Sequence, residues 1–308
     1  MRCSKPPPDT IAGVRKLLLL LALLLAVLAA GCGGDDDESG AAGTGTSTED
    51  VSCAKEDLEL VEDGRLTIGT DNPAYPPWFG GDAKRPWKIG DPRTGEGFES
   101  AVAYAVAAEL GFAEDEVDWK VVPFNQSFRP GSKSFDFDIN QISYSDQRAR
   151  NVAFSDSYYD VNQALVAIET SEIADAQSID DLRDAKLGVQ VGTTSYSYIV
   201  DEIDPSQKPS VYDTSNDAIS ALKAKQIDGI VVDLPTAFYV TAAEVENSKI
   251  VGQFPSAGEQ ERFGMVFGRD SSLVTCVDEA LGTLRDEGTL EDIQQEWLSD
   301  KASAPVLE

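Results

Sequence analysis

The chain has no histidine. A Ser-His-Asp triad, a histidine base and a histidine-ligated zinc site are therefore excluded. The remaining chemistry lies in four short segments. The first is Gln141-Ile-Ser143-Tyr-Ser-Asp-Gln-Arg148, followed by Val152-Ala-Phe-Ser155-Asp156-Ser-Tyr158-Tyr159. Its guanidinium can grip a carboxylate through two parallel N–H···O bonds, which a lysine cannot do. The second is Leu187-Gly-Val-Gln-Val-Gly192-Thr193-Thr194-Ser195, where Gly-Thr-Thr opens a helix and presents free N–H donors to an anion. The third, Gln226-Ile-Asp-Gly-Ile-Val-Val-Asp233-Leu-Pro235, ends an apolar run on a carboxylate. The fourth runs from Gly69-Thr70-Asp71 into Tyr75-Pro-Pro-Trp78-Phe79 and pairs an acid with aromatic walls. Each has a plainer reading. Arg148 pairs with Arg150 as a surface cation, Thr193-Thr194 caps a helix, and Asp233 caps the helix beginning near Pro235. Ser145-Asp146 reads as a turn, and Trp78 and Phe79 read equally well as core.

The elements that must position these residues alternate strand and helix. Arg65–Thr70 is a short β-rich run, Val117–Val122 alternates like a strand, and Phe137–Ser143 puts Phe137, Ile139 and Gln141 on one side. A helix follows Gly97, with Phe98, Val102, Ala105 and Leu110 on one face. Later come strand Leu187–Val191, helix Asp217–Ala224 and the buried apolar strand Gly229–Asp233. Leu273, Val274, Val277, Leu281 and Leu284 then recur at helical spacing. The alternation predicts an α/β fold with mostly parallel sheet, in two domains.

The N-terminus carries Arg2, Lys5, Arg15 and Lys16, then an apolar run from Leu17 to Ala30 and Gly31-Cys32. This reads as a secretory signal, too short for a comfortable membrane span, with a retained single membrane anchor as the alternative. Leu28-Ala29-Ala30-Gly31-Cys32 resembles the bacterial lipobox, with Ala29 where leucine is commonest. Residues 1–31 are thus expected to be a lipoprotein signal peptide and Cys32 the lipidated residue. Residues 32–54, with Asp35-Asp36-Asp37-Glu38 and Gly/Ala/Ser/Thr sequence, read as a disordered acidic tether. Cys53 and Cys276 remain, and in an oxidising compartment they read as one disulfide; two free buried thiols are the alternative. The chain carries 25 Lys and Arg against 54 Asp and Glu, and without residues 1–31 the balance becomes 21 against 53. Nucleic acid is excluded as a partner, because phosphate binding needs a basic surface.

In order and spacing, the four segments resemble the family 3 bacterial extracellular solute-binding proteins, the amino-acid receptors of ABC importers. The similarity covers about residues 55–300. It implies an α/β, two-lobe, periplasmic-binding-protein-like (type II) fold with two crossover hinge strands. Lobe 1 would comprise residues 55–160 and 262–308, and lobe 2 residues 161–261. The first crossover would follow Tyr158-Tyr159 and the return fall near Glu261–Met265, so a Cys53–Cys276 bond would lie within lobe 1. The ligand would be a small-molecule amino acid, delivered by a lipid-anchored monomer to an ABC permease, with no cofactor, no metal and no catalysis. Arg148, Thr193 and Thr194 would hold its carboxylate, Asp233 its ammonium, and Ser143 would make a further contact to the groups on its α-carbon. Asp71, Tyr75, Trp78 and Phe79 would face its side chain, beside Gln141. An acid at position 71 serves both basic ligands and glutamine in this family, so it leaves the side chain open.

The chain departs from the family in three places. Pro130-Gly131 shortens a helix, and Asn140-Gln141 stands where small residues are frequent. Gly80–Glu96, with Trp87, is an insertion placed to cover the cleft mouth. Two rivals share the scaffold. One is a cyclohexadienyl-type dehydratase using Glu99 or Asp71 as acid or base, and the other a ligand sensor acting in trans.

Overall fold

The computed structural model describes residues 51–298 and 304–307. The signal segment, Cys32 and most of the expected tether lie outside them. Among the described residues, ten strands form two separate sheets. The strands are β1 (Leu66–Thr70), β2 (Val117–Val121), β3 (Phe137–Asp138), β4 (Ala153–Asp160) and β5 (Gln163–Ile168). They continue with β6 (Leu187–Gln190), β7 (Ser210–Tyr212), β8 (Gly229–Asp233), β9 (Ser248–Gln253) and β10 (Arg262–Phe267). The first sheet has the order β2-β1-β3-β10-β4 and the second β7-β6-β8-β5-β9. Within the first, β1 is parallel to β2 and β3, and β10 is antiparallel to β3 and β4. The second repeats the pattern, with β6 parallel to β7 and β8, and β5 antiparallel to β8 and β9.

That order forces the chain to change sheets twice. It leaves lobe 1, the body of the first sheet, through Val161 and Asn162 between β4 and β5. It returns from lobe 2 between β9 and β10, and the two passages touch. Val161 N–H donates to Glu261 O at 2.9 Å, and Gln260 Nε2 donates to Val161 O at 2.8 Å. The central strands β5 and β8 are apolar on both faces because helices or loops cover both sides. In lobe 1 the sheet packs against α1 (Phe98–Glu109), α7 (Leu273–Asp286) and α8 (Thr289–Leu298); α2 to α6 lie between α1 and α7 in the chain, α5 being Ser215–Lys223 of lobe 2. Burial of Leu273, Cys276, Val277, Ala280, Leu281 and Leu284 follows the 3.6-residue period of α7. Gly97, at φ 95°, starts α1 where an added Cβ would meet Phe79 Cα at 2.5 Å and Trp78 O at 2.6 Å. Only glycine fits that turn.

Several expectations change. The predicted strand Phe137–Ser143 is regular only over Phe137–Asp138, because Gln141 turns the backbone at φ 47°, and beyond the turn Ser143 makes a separate bridge to Phe263. Helix α2 (Phe124–Ser127) has four residues and ends before Pro130-Gly131. Trp87 is buried in the lobe 1 core rather than over the cleft, and Asp91 pins its loop to Arg93. The C-terminal end does not stay with lobe 1. Gln253 N–H donates to Pro305 O at 2.7 Å, Leu307 N–H donates to Gln253 O at 2.9 Å, and Leu307 is buried in the lobe 2 core. Leu307 finds its burial on β9, where Gly252 leaves the space it needs, while Val306 beside it stays exposed.

Cys53 and Cys276 are joined, their Cα atoms 5.3 Å apart across a separation of 223 residues. The bond ties the start of the folded chain to α7 within lobe 1. A loop that long restricts the unfolded chain by up to about 5 kcal/mol. Replacing both cysteines by serine should lower Tm by on the order of 5–15 °C, measurable by calorimetry.

Candidate ligand-binding cleft

One cavity of about 100 Å³ lies between the two sheets, lined from lobe 1 by Asp71, Tyr75, Trp78, Gln141 and Arg148 among others. Lobe 2 supplies Thr193, Thr194, Ser195, Asp233, Thr236 and Tyr239. Eight of the nine predicted binding residues therefore meet in one place; Ser143 does not line it.

Arg148 reaches the cavity from α3 (Asp146–Ala149), a single turn capped by Ser145 Oγ, which accepts from the Arg148 N–H at 3.2 Å. The surface reading of this arginine fails, since it is 7% exposed. Its Nη1 donates to Ser143 O at 2.6 Å and its Nη2 crosses to Gly192 O of lobe 2 at 2.8 Å. The guanidinium also stacks over Phe128, 4.5 Å from the ring centre. Burial pulls its pKa down to about 10, so it stays charged at neutral pH. A guanidinium has five N–H donors. Two are committed to carbonyls, and the rest are free to grip an anion in the cavity.

Asp233 ends β8 and stands at the N-cap position of α6 (Leu234–Tyr239), yet its side chain makes no capping bond. It accepts instead from Gln163 Nε2 at 2.8 Å. Burial and then the charge of Glu261 push the carboxyl up to about 8. Thr193 is the opposite case. Its hydroxyl caps α4 (Thr194–Tyr198), accepting from Tyr196 N–H at 3.3 Å and donating to Gln190 O at 2.9 Å. What α4 offers the cavity is its first backbone N–H groups, which have no intrahelical partner.

The lobe 1 wall is aromatic and acidic. Trp78 is both core and cleft. It packs edge-on against Phe98, Tyr159 and Phe263 while its Nε1 donates across the cleft to Thr236 Oγ1 at 2.9 Å. Tyr75 faces Tyr239 of lobe 2, ring centres 6.3 Å apart, and its buried hydroxyl has no protein partner. Burial raises the Asp71 carboxyl above its usual range, against the N–H groups of Asn72 and Phe124. Gln141 is placed by Glu99, whose Oε1 accepts its N–H at 2.6 Å and whose Oε2 accepts its Nε2. Tyr158 OH donates to the same Oε1 at 2.5 Å. Burial pushes Glu99 up to about 7. This carboxyl is fully buried, committed to three donors, and outside the cavity lining, so it supports the wall and is not a group presented to a ligand.

Residues 66–300 match the bacterial extracellular solute-binding proteins, family 3. The chain belongs to this family. The solute-binding protein is 26% identical over 208 residues to the arginine-binding extracellular protein ArtP of Bacillus subtilis, covering 66% of this chain and 78% of that protein. It is 24% identical over 242 residues to the L-cystine-binding protein TcyJ of Escherichia coli K12, covering 78% and 84%. Among solved structures, it resembles an ancestral arginine-binding protein bound to glutamine, with a TM-score of 0.63 and 28% identity over 77% of this chain and 99% of that one. The fold is the type II periplasmic one of these amino-acid-binding proteins.

Sequence reasoning missed the residues that organise the cleft of this solute-binding protein from behind. Gln163, 3% exposed, links Asp233 to Glu261 and accepts from Ser195 Oγ at 2.6 Å. A glutamine heading the apolar run Gln163-Ala-Leu-Val-Ala-Ile168 is the signal that could have found it, since a buried amide requires partners. Ser143 Oγ donates to Glu261 Oε1 at 2.5 Å, so the predicted ligand contact is turned toward the crossover. No cluster of three or more His, Cys, Asp or Glu side chains able to hold a metal ion occurs among the described residues.

Proposed function

We propose that this solute-binding protein captures one polar amino acid as a zwitterion between its lobes and delivers it to an ABC-transporter permease. The observation that carries this is the placement of Arg148 and Asp233, from opposite lobes, on a single cavity of about 100 Å³. The free guanidinium donors and the first N–H groups of α4 receive the α-carboxylate. Asp233 receives the α-ammonium once it gives up its proton. Asp71, Tyr75, Trp78 and Gln141 face the side chain, and an acid with an unpartnered hydroxyl selects one that carries hydrogen-bond donors. The names of the relatives, arginine- and cystine-binding proteins, agree with a polar ligand. Residues 55–160 and most of 262–308 act as one lobe, 161–261 as the other, and binding closes them about the two crossovers. The protein works outside the cytoplasmic membrane, held there as a monomer by lipid on Cys32.

A thermal-shift screen over the twenty amino acids tests this. A true ligand at one hundred times its Kd adds about 2.7 kcal/mol, or roughly 5–10 °C for a chain of this size. The expected pattern is a shift with one or a few polar amino acids that vanishes when their carboxylate is amidated. Absence of any shift across the set would overturn the reading.

A further inference from the structure

The strongest unexplained arrangement lies behind the cavity, at Glu261. This residue ends the return passage, directly before β10. Its Oε1 accepts two hydroxyls that come from different lobes, Ser143 Oγ at 2.5 Å and Thr194 Oγ1 at 2.5 Å. Those hydroxyls are 3.3 Å from each other. Its Oε2 accepts from Gln163 Nε2 at 3.1 Å, and the same nitrogen reaches Asp233 at 2.8 Å. Its main-chain carbonyl accepts from Val161 N–H, so the backbone sits where the two passages touch.

We propose that Glu261 is a positioning residue for ligand capture: a carboxylate fastener at the hinge that holds Ser143 of lobe 1 to Thr194 of lobe 2 and sets how readily the cleft closes. Three features point to this role. First, two hydroxyls brought this close both need an acceptor, and an anion accepting from both gives bonds stronger than neutral ones. Second, opening the cleft separates Ser143 from Thr194, so at least one of the two bonds must break. The main chain of Glu261, held at Val161, moves little. Third, neither Ser143 nor Glu261 lines the cavity. Thr194 does line it, but the carboxylate that joins the two lobes lies outside the cavity and stays off the ligand. The cross-cleft bond from Arg148 to Gly192 O differs, because the guanidinium that joins the lobes there itself lines the cavity. A fastener whose joining group lies outside the cavity biases the open–closed equilibrium itself, and apparent affinity scales with the closed fraction. The consequence for affinity rests on the amino-acid reading above; the consequence for closure does not.

The test uses the full chain with one label on each lobe, at Val61→Cys and Val211→Cys, both exposed positions, and pulsed electron-spin distances measured without ligand. Glu261→Ala should shift the ligand-free molecules toward the longer distance, lowering the ratio of closed to open roughly tenfold. Ser143→Ala should produce the same shift and add little to it when combined with Glu261→Ala, because both remove one fastening. Glu261→Gln, which keeps the shape and one acceptor without the charge, should fall between. If an amino acid binds, its Kd should rise in proportion to the lost closed fraction. An unchanged distance distribution in a folded Glu261→Ala or Glu261→Gln protein would overturn the proposal, as would fully additive effects of the two alanine variants. If wild type binds no amino acid, the distances still decide the matter.

Discussion

Replacing Arg148 by lysine is expected to weaken amino-acid binding roughly 10²–10³-fold while leaving the protein folded. Lysine preserves the charge but not the planar fork, so it cannot grip a carboxylate bidentately and also hold two carbonyls. Truncating one partner of a buried, hydrogen-bonded charge pair costs about 2–5 kcal/mol, which is the range of that loss. Arg148→Ala goes further. It leaves Ser143 O and Gly192 O without their donor and removes the stack on Phe128, so it should also lower Tm. Calorimetric titration of both variants checks this. Near-native affinity in Arg148→Lys would mean that the carboxylate is held elsewhere.

The second large effect is a pH dependence centred on Asp233. Its carboxyl is pushed up to about 8, first by burial and then by Glu261 and Glu99, with Gln163 and Arg148 pulling the other way. Below about pH 8 the ligand-free cleft therefore carries a proton there, and an incoming ammonium must displace it. Affinity should rise with pH, by up to tenfold per unit below about 8, and one proton should be released on binding near neutrality. Titrations in two buffers of different ionisation enthalpy measure that proton directly. Asp233→Asn should bind about 10²-fold more weakly with no such slope, since an amide has nothing to titrate. The stability of the ligand-free protein runs the other way. A carboxyl whose pKa is higher folded than unfolded binds more protons in the native state. Stability therefore falls as pH rises between the unfolded value near 4 and the folded value near 8, by at most about 1.4 kcal/mol per unit. A pH-independent affinity would show that the ammonium does not meet Asp233.

Strand β8 was legible to the residue because an apolar run between glycine and Asp-Leu-Pro admits one reading. Helix α7 followed from its spacing. Strand β3 misled because alternation at Phe137, Ile139 and Gln141 is a local signal, whereas the turn at Gln141 is imposed by Glu99, 42 residues away. The choices left open at single residues also needed tertiary partners. Thr193 and Asp233 occupy the same position at the start of a helix, yet one caps it and the other turns to Gln163. The Ser143–Glu261 pair spans 118 residues and carries no local pattern at all. Residues 304–307 went to the wrong lobe because sequence adjacency to α8 suggested lobe 1, while burial of Leu307 is available on β9.

The bond between Cys53 and Cys276 gives the molecule an unusual response to force. Everything between those residues, a sequence separation of 223 that includes both crossovers, is enclosed in a covalent loop. Tension applied to the two ends first peels residues 304–307 from β9, and from then on passes from the first residues of the domain into α7 and bypasses the hinge. Pulled to rupture, the chain would hide roughly 750 Å of its contour until the bond was reduced. With that last contact released, lobe 2 can swing on a support that does not transmit load to it.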